Sequence, residues 1–350
     1  MIITKTPYRV SFFGGGTDYP EWFQENGGAV LATTICHYCY IYGRVLPPFF
    51  DYRYRVVWSK IEHVIELNEI EHPVVREALK WMNIPFGMEI HHNGDLPARS
   101  GLGSSSSFSV GMLHMLHALN GKSPSKEKLA KEAIFLEQSL LKETVGVQDQ
   151  ILTSHGGLNK VEILPSGEYK LNPLALSKDR TSDFEDRILL FYTGVSRFAS
   201  NIAKKQVLAM PKKTAELHEM QKLVNIATDL LCNGTDLDDF GRLLHQTWQL
   251  KRGLESSITP AFVDDIYSKA IGAGALGGKL LGAGGGGFMV FYVNPDKKQS
   301  VLTALKELLL VPFKIDYYGT SIMYSESQTY SQISMKGSVD YFRSNLEKNS

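Results

Sequence analysis

Apolar positions along this chain change between the alternation typical of strands and the three-to-four residue spacing typical of helices. Residues 1–45 fit a strand, a loop, a short helix and a second strand. Further strands are predicted within residues 52–67, 87–96, 188–194, 277–293 and 313–317. Helices are predicted over residues 72–83, 108–119, 211–232, 236–254, 260–272 and 295–310, with one more that opens at Ser123-Pro124. The polar stretch 165–187 predicts a boundary between two domains, residues 1–180 and 181–350.

The segment Pro97–Ser107 joins a predicted strand to a predicted helix and is rich in glycine and serine. Gly101 and Gly103 let the backbone approach an anion closely, and the serines offer amides, hydroxyls and the positive end of a helix dipole. Polyphosphate suits such a loop, and the alternative is a serine-rich helix cap after a turn. The loop lacks the Gly-Lys-Ser/Thr of a Walker motif and the third glycine of a dinucleotide fingerprint.

Two other glycine runs lie near the ends of the chain. In the first, Gly14–Thr17 leads into Asp18, which could accept hydrogen bonds from two sugar hydroxyls or could cap the turn before Pro20. In the second, Gly282 and Gly284–Gly287 lie between two strand-like runs. Glycine at so many positions costs chain entropy, which indicates that a ligand or another loop comes very close.

Two carboxylates stand out beside the serine-rich loop. Glu137 falls within the apolar stripe of its predicted helix and therefore needs a partner, either a basic side chain or a bound cation. Asp149 follows twelve residues later, just past a glycine turn, where it could also cap the next helix. Two carboxylates near one phosphate loop suggest a division of labour, one for a metal ion and one for an acceptor hydroxyl.

Composition narrows the class of partner. The chain of 350 residues carries 37 Lys and Arg against 37 Asp and Glu, so no net charge attracts nucleic acid or an anionic membrane. A small-molecule substrate is expected. No signal peptide and no apolar run of membrane-spanning length are found in the sequence, and a cytoplasmic location is therefore expected.

Three motifs stand in one order, Pro7–Asp18, Pro97–Ser107 and Lys279–Gly287, and together they resemble those of the GHMP kinase superfamily. The resemblance spans most of the chain. It implies an α+β fold, with an N-terminal domain like ribosomal protein S5 domain 2, a ferredoxin-like C-terminal domain and an active site between them. It also implies ATP and Mg²⁺ as cofactors.

The resemblance implies a role for particular residues. Asp149 would lie beside the acceptor hydroxyl as catalytic base, steadied by Arg9, and Mg²⁺ would be held by Ser105 and Glu137. The residues expected to bind ATP are those of the second motif, Pro97, Arg99, Ser100, Gly101, Leu102, Gly103, Ser104, Ser105 and Ser106. The residues expected at the acceptor are Gly15, Gly16, Thr17, Asp18, Gly284, Gly285 and Gly286.

Within the superfamily, the sequence GGGTDYP of the first motif resembles the branch that phosphorylates D-glycero-D-manno-heptose 7-phosphate, close to the fucokinases. The implied activity is ATP-dependent phosphorylation of a sugar at its anomeric hydroxyl. Galactokinases carry Glu-His where this chain has Gly15-Gly16, so galactose is not the expected acceptor. The rivals are another sugar 1-kinase, such as a fucokinase, and a non-catalytic sensor of sugar and ATP. Lys204, Lys205, Arg99 and Arg197 are candidates for binding a substrate phosphate, and a homodimer is left open.

Overall fold

A computed structural model describes residues 1–98, 100–195, 199–233 and 236–326, with the backbone alone described at 199–201. Its strands are β1 (Ile2–Phe13), β2 (Gly28–Val45), β3 (Tyr54–Val57), β4 (Ile61–Val64), β5 (Met88–Gly94), β6 (Leu158–Ile163), β7 (Tyr169–Pro173), β8 (Ile188–Tyr192), β9 (Ala275–Leu280), β10 (Phe288–Val293), β11 (Leu309–Val311) and β12 (Ser321–Ser325).

The α-helices are α1 (Pro20–Asn26), α2 (Pro73–Trp81), α3 (Ser104–Leu119), α4 (Lys126–Ile134), α5 (Gln148–His155), α6 (Lys178–Asp186), α7 (Ala199–Ala209), α8 (Thr214–Cys232), α9 (Asp238–Arg252), α10 (Ala261–Gly272) and α11 (Lys298–Ala304). A π-helical turn, Phe135–Leu140, extends α4. Short 3₁₀ turns lie at Leu67–Glu69, Met210–Lys212, Ser256–Ile258 and Pro295–Lys297. Helices and sheets are mixed, as the predicted α+β class requires. Within the described ranges, no helix is both long enough and apolar enough to span a bilayer.

The larger sheet has eight strands, six of them in the order β12-β1-β2-β5-β3-β4, with β6 beside β2 and β7 beside β6. The long strand β2 serves two neighbours, because its first half pairs with β6 and its second half pairs with β5. Helix α3 packs across β1 and β2. The serine-rich loop in Pro97–Ser107, called the phosphate loop below, therefore runs into a helix that is packed on the centre of the sheet.

The smaller sheet has four antiparallel strands in the order β11-β8-β10-β9, and helix α9 packs closely on β9. Three rings join this sheet to the larger one. Phe240 packs edge-on against Phe12 and Phe184, with ring centroids 5.4 and 5.0 Å apart. Because edge-to-face aromatic pairs add to the energy of burial, the junction between the two sheets is a packed core.

Most of the predicted elements are confirmed, and the differences lie near the C-terminus and the domain boundary. The polar stretch 165–187 contains β7 and α6, and the helix expected over 295–310 ends early and gives way to β11. The expected strand 313–317 forms only an isolated bridge, from Ile315 to Ile35. Strand β12, for which no strand is predicted, pairs with β1, while residues 327–350 lie outside the described part.

The division at residue 180 stays a prediction. The two sheets follow it except that β12 returns to the larger sheet. The helix expected to open at Ser123-Pro124 instead begins at Lys126, because the hydroxyl of Ser125 accepts a hydrogen bond of 3.1 Å from the amide of Lys128 and caps it.

Candidate active site

The serine-rich loop runs into helix α3 through two glycines with left-handed backbone. Gly101 has φ 84° and Gly103, which caps the helix, has φ 72°. A Cβ on Gly103 would lie 3.2 Å from Oδ2 of Asp149, so glycine lets this carboxylate reach the start of the helix. Ser104, Ser105 and Ser106 line a cleft of about 490 Å³ together with both glycines. The helix N-terminus therefore faces the open space of this cleft, as a phosphate site requires.

The remaining residues of the second motif have other positions. Leu102 and Ser100 are fully buried, and the carbonyl of Leu102 accepts a 2.9 Å hydrogen bond from the amide of Arg9. Pro97 is exposed and does not line this cleft, and Arg99 lies outside the described residues. The loop thus contributes its glycines and serines to the cleft, while its apolar residue fixes it to strand β1.

Arg9 and Asp149 form a bidentate ion pair in the middle of the cleft. Nε of Arg9 lies 2.6 Å from Oδ1 of Asp149, and Nη2 lies 2.7 Å from Oδ2. The third nitrogen of the guanidinium donates a 2.6 Å hydrogen bond to the carbonyl of Gly101. One buried side chain on β1 therefore fixes both the carboxylate on α5 and the phosphate loop, which is the planar fork geometry that arginine favours.

Glu137 lies in the π-helical turn, one layer behind the cleft, and is fully buried. Its Oε2 accepts hydrogen bonds from Ser106 at 3.0 Å and from Gln150 at 2.5 Å. Burial raises the pKa of the carboxyl to about 7. Oε1 has no hydrogen-bond partner among the residues that the structure describes. The family resemblance implies that Glu137 acts with Ser105, whereas in the structure Ser106 bonds the carboxylate and Ser105 is exposed.

This arrangement fits a divalent cation. The described residues contain no group of three or more acidic, histidine or cysteine side chains that could hold a metal ion by themselves. Mg²⁺ in phosphoryl-transfer sites usually takes only one or two carboxylates and completes its shell with water and substrate phosphates. A buried carboxylate with one oxygen unpaired and the other bonded to the hydroxyl of Ser106 meets that requirement. Glu143, which the sequence did not single out, is a third carboxylate of the cleft wall, with Asp18 and Asp149.

Asp18 is buried in the wall of the same cleft. Its Oδ1 accepts a 3.0 Å hydrogen bond from the amide of Gly16, and its Oδ2 accepts one of 2.9 Å from Nε2 of Gln148. Burial raises the pKa of the Asp18 carboxyl, and these hydrogen bonds oppose that rise. A Cβ on Gly146 would lie 1.9 Å from Oδ2, so the glycine before α5 makes room for this carboxylate. Oε1 of Gln148 has no partner within the described part of the chain, although it is buried at the cleft.

The other residues expected at the acceptor divide into two groups. Gly15 and Gly16 line the cleft, but the hydroxyl of Thr17 bonds the carbonyls of Gly14 and Ala29 at 2.8 and 2.9 Å and so anchors the turn. In the third motif, the cleft residues are Lys279, Gly282 and Ala283. The expected residues Gly284, Gly285 and Gly286 lie behind them. Gly284 and Gly285 contact Ile258, and Gly286 contacts Val195.

Two buried lysines of the cleft were missed as site residues from the sequence. Lys251 on α9 and Lys279 on β9 are 4 % and 1 % exposed, and both line the cleft. A signal existed for Lys251, because it follows Thr247 and Trp248 on the buried stripe of its helix, as Glu137 does on its own. Of the four cations expected near a substrate phosphate, Lys204 lines the cleft and Lys205 does not. Arg99 and Arg197 lie outside the described residues.

Comparison with known proteins identifies the class to which this fold and cleft belong. Residues 67–157 match the family model described as GHMP kinases N terminal domain, and residues 227–309 match the model described as GHMP kinases C terminal. The chain belongs to the GHMP kinases, which are phosphotransferases that use ATP. The predicted α+β fold of this family is therefore confirmed.

Individual relatives are similar over most of the chain. A D-glycero-alpha-D-manno-heptose 7-phosphate kinase from Campylobacter jejuni is 28% identical over 320 residues, which cover 87% of this chain and 93% of that protein. A bifunctional fucokinase/GDP-fucose pyrophosphorylase from Arabidopsis thaliana is 26% identical over 91% of this chain and 32% of that protein. Among solved structures, a D-glycero-D-manno-heptose 1-phosphate kinase from Bacteroides thetaiotaomicron superposes with a TM-score of 0.77 at 22% identity, covering 93% of this chain and all of that one.

Proposed function

We propose that this protein transfers the γ-phosphoryl group of ATP to the anomeric hydroxyl of D-glycero-D-manno-heptose 7-phosphate. The product would be the 1,7-bisphosphate used in GDP-heptose synthesis. The observation that carries the proposal is the Arg9–Asp149 ion pair, which lines one cleft together with the serines of the phosphate loop and Asp18. The similarity to the Campylobacter enzyme supports this choice of sugar.

The chemistry needs little more than positioning and charge. The acceptor oxygen forms a bond to the γ-phosphorus, the bond from that phosphorus to the β,γ-bridging oxygen breaks, and the acceptor proton passes to the Asp149 carboxylate. Arg9 holds this carboxylate in one orientation and places a cation beside the transferred group. Because an anomeric hydroxyl is more acidic than other sugar hydroxyls, a carboxylate suffices as the base.

Mg²⁺ would be held by Glu137 together with a serine hydroxyl of the phosphate loop. The structure makes Ser106 the candidate that already bonds Glu137, with Ser105 exposed beside it. When bound there, the cation would neutralise charge on the β- and γ-phosphate oxygens. Without it, Glu137 is a buried carboxyl with one oxygen unpaired, which is costly to keep charged.

The sugar end of the cleft combines hydrogen-bonding groups with free space. Asp18 is held by Gly16 and Gln148, and the unpaired Oε1 of Gln148 offers an acceptor for a sugar hydroxyl. Gly15 and Gly16 add no side chains to the wall, which leaves room for a sugar larger than a hexose. These features favour a heptose over galactose.

The test is a coupled assay of ADP release with Mg-ATP. The acceptors would be D-glycero-D-manno-heptose 7-phosphate, mannose 6-phosphate, mannose, fucose and galactose. Turnover confined to the heptose 7-phosphate is expected, and the Asp149→Asn variant serves as the inactive control. Turnover of fucose alone would replace the proposed acceptor by that of a fucokinase. Binding of sugar and ATP without any ADP release would indicate a sensor instead of an enzyme.

A further inference from the structure

Two lysines on the C-terminal side of the cleft are buried as completely as core residues. Lys251 and Lys279 are 4 % and 1 % exposed, and both side chains reach the cleft wall. Long charged side chains are seldom buried unless a group of opposite charge accompanies them. The groups around the two ammonium groups therefore show whether each has a partner of opposite charge.

Both ammonium groups have backbone carbonyls as partners. Nζ of Lys279 donates a 3.0 Å hydrogen bond to Phe12, and Nζ of Lys251 donates to Gly282 at 2.5 Å and to Leu280 at 3.4 Å. Within the described residues, neither lysine lies within 4 Å of a carboxylate oxygen. A carbonyl satisfies a donor but does not neutralise a charge, and an ammonium carries three donors.

The effect of this environment is large. Burial lowers the pKa of Lys251 to about 8, with the charge of Arg9 adding to the effect. Burial lowers the pKa of Lys279 as well, helped by the neighbouring charges of Lys251 and Arg9. Asp18 opposes both shifts only in part, since its own oxygens already accept hydrogen bonds from Gly16 and Gln148. A bound anion would supply the negative charge that both lysines lack and would favour their protonated forms.

The neighbours of Lys251 and Lys279 in the cleft indicate which anion lies within reach of the two lysines. Arg9 and Asp18 are the charged groups that act on Lys251, and Asp18 belongs to the sugar end of the cleft. Lys204, exposed on α7, lines the same cleft, as does the buried Gln206 close to Gly16. The serines that receive the nucleotide phosphates lie on the other domain, at the start of α3. Nζ of Lys251 also bonds the carbonyl of Gly282, which touches Gly101 of the phosphate loop, so the pair adjoins both Asp18 and that loop.

We infer that Lys251 and Lys279 form the binding site for the phosphate group carried by the acceptor. This inference rests on the proposed function and deepens it, because such a site would bind a sugar phosphate more tightly than a free sugar. Lysine binds phosphate as a compact point charge, and two such charges in a site shielded from water match a dianion. The same phosphoryl chemistry is present at the γ-position of ATP, so the experiment must separate the two sources.

The experiment is calorimetric titration of three ligands into the wild-type protein and the Lys251→Met variant. The ligands are D-glycero-D-manno-heptose 7-phosphate, the unphosphorylated heptose and a non-hydrolysable ATP analogue with Mg²⁺. Methionine keeps the length of the side chain and removes a buried charge, so the fold should be retained. Lys251→Gln, which keeps a donor for the Gly282 carbonyl, is the second variant, and the exposed Lys205→Met on α7 is the matched control.

The expected result is that both Lys251 variants bind heptose 7-phosphate at least about tenfold more weakly, a free-energy change that calorimetry resolves easily. The free heptose and the nucleotide should bind as in the wild type, and Lys205→Met should change nothing. A loss confined to the nucleotide would assign the lysine to the γ-phosphoryl group and overturn the inference. An equal loss for both sugars, no loss at all, or a wild-type protein that binds no sugar phosphate would overturn it too.

Failure of the proposed function gives a different pattern. If the variants lose the sugar phosphate selectively while the wild-type protein releases no ADP, the phosphate site stands and the kinase proposal falls. If the wild type turns over heptose 7-phosphate but the variants bind it normally, the kinase proposal stands and the lysine site falls. Binding and turnover thus test the two proposals separately.

Discussion

Gly101 and Gly282 touch through their backbones at the point where the two halves of the site meet. A Cβ on Gly282 would lie 2.5 Å from Cα of Gly101, and one on Gly101 would lie 2.4 Å from the carbonyl oxygen of Leu281. Both residues also have left-handed backbone, with φ of 84° and 71°. Glycine is therefore required at both positions, because there is no space for a Cβ and because the backbone is left-handed. The third motif packs directly on the phosphate loop.

We expect Gly282→Ala to damage both stability and activity. The added methyl group must push the two loops apart and also adopt an unfavourable φ, which together cost about 2 to 4 kcal/mol of unfolding free energy. Chemical denaturation measures this loss, and kcat/KM should fall in parallel. Gly272→Ala is the control, because a Cβ there meets open space. Equal behaviour of the two variants would show that the contact between the loops is unimportant.

Asp149→Asn should lower kcat about 100- to 10,000-fold, the usual range for loss of a positioned general base. The amide keeps the shape of the side chain but cannot take the acceptor proton, and it weakens the pairing with Arg9. Binding of ATP should change little, as measured by titration of the nucleotide. Asp239→Asn, in an exposed pair with Arg242, is the matched control and should leave kcat unchanged. An unaltered kcat in Asp149→Asn would remove this residue from the role of base.

Glu137→Gln should raise the concentration of Mg²⁺ needed for half-maximal activity. The amide can still accept from Ser106, but it cannot supply the negative charge that a divalent cation prefers. An increase of about tenfold is expected, equal to a loss of about 1.4 kcal/mol in cation binding. ADP release measured against Mg²⁺ concentration gives the value. The exposed Glu127→Gln is the control, and an unchanged requirement in Glu137→Gln would refute the metal assignment.

The three glycine motifs could be found from the sequence because each is local. Successive glycines indicate a backbone that a ligand or another loop approaches closely, and this signal does not depend on distant parts of the chain. The choice between Ser105 and Ser106 could not be made in this way. It depends on the rotational phase of the first turn of α3 and on the π-helical turn that carries Glu137, and both are set by packing.

Long-range pairing explains the other differences. Strand β12, Ser321–Ser325, lies far from β1 in the sequence but pairs with it. Because its five residues are only partly buried, the sequence shows no alternation of apolar and polar residues that would predict a strand. Lys279 likewise has no local signal, because its partner is the carbonyl of Phe12 on another sheet. The catalytic geometry needs the same contacts between distant segments, since Arg9 and Asp149 are 140 residues apart.

Gln148→Ala should raise the KM for the acceptor without changing the KM for ATP. The substitution removes the donor that holds Oδ2 of Asp18 and the buried Oε1, which has no partner among the described residues. A loss of one or two hydrogen bonds to sugar corresponds to an increase of roughly tenfold. Steady-state kinetics with each substrate varied in turn provides the measurement. Gln24→Ala, exposed on α1, is the control, and a rise in the KM for ATP would instead indicate general damage to the site.

The lowered pKa of Lys251 predicts opposite pH trends for ligand binding and for stability. Only the protonated lysine attracts phosphate, so affinity for heptose 7-phosphate should be full below about 8 and should fall as the pH rises through that value. The free protein should gain unfolding free energy from pH 8 towards about 10.4, because the unfolded lysine binds a proton there that the folded one does not. Lys279, Arg9 and Asp18 are the charged groups that face it.

The measurement compares binding and denaturation of the wild-type protein with those of Lys251→Met from pH 7 to 10. The variant should lose most of both trends, while Lys205→Met should keep them. Affinity that falls with pH equally in Lys251→Met would assign the titration to another group, with Lys279 the next to be substituted. Affinity independent of pH in the wild type would mean that no lysine of this cleft changes its charge in that range, and Lys251 would then owe its burial to the carbonyls of Leu280 and Gly282 alone.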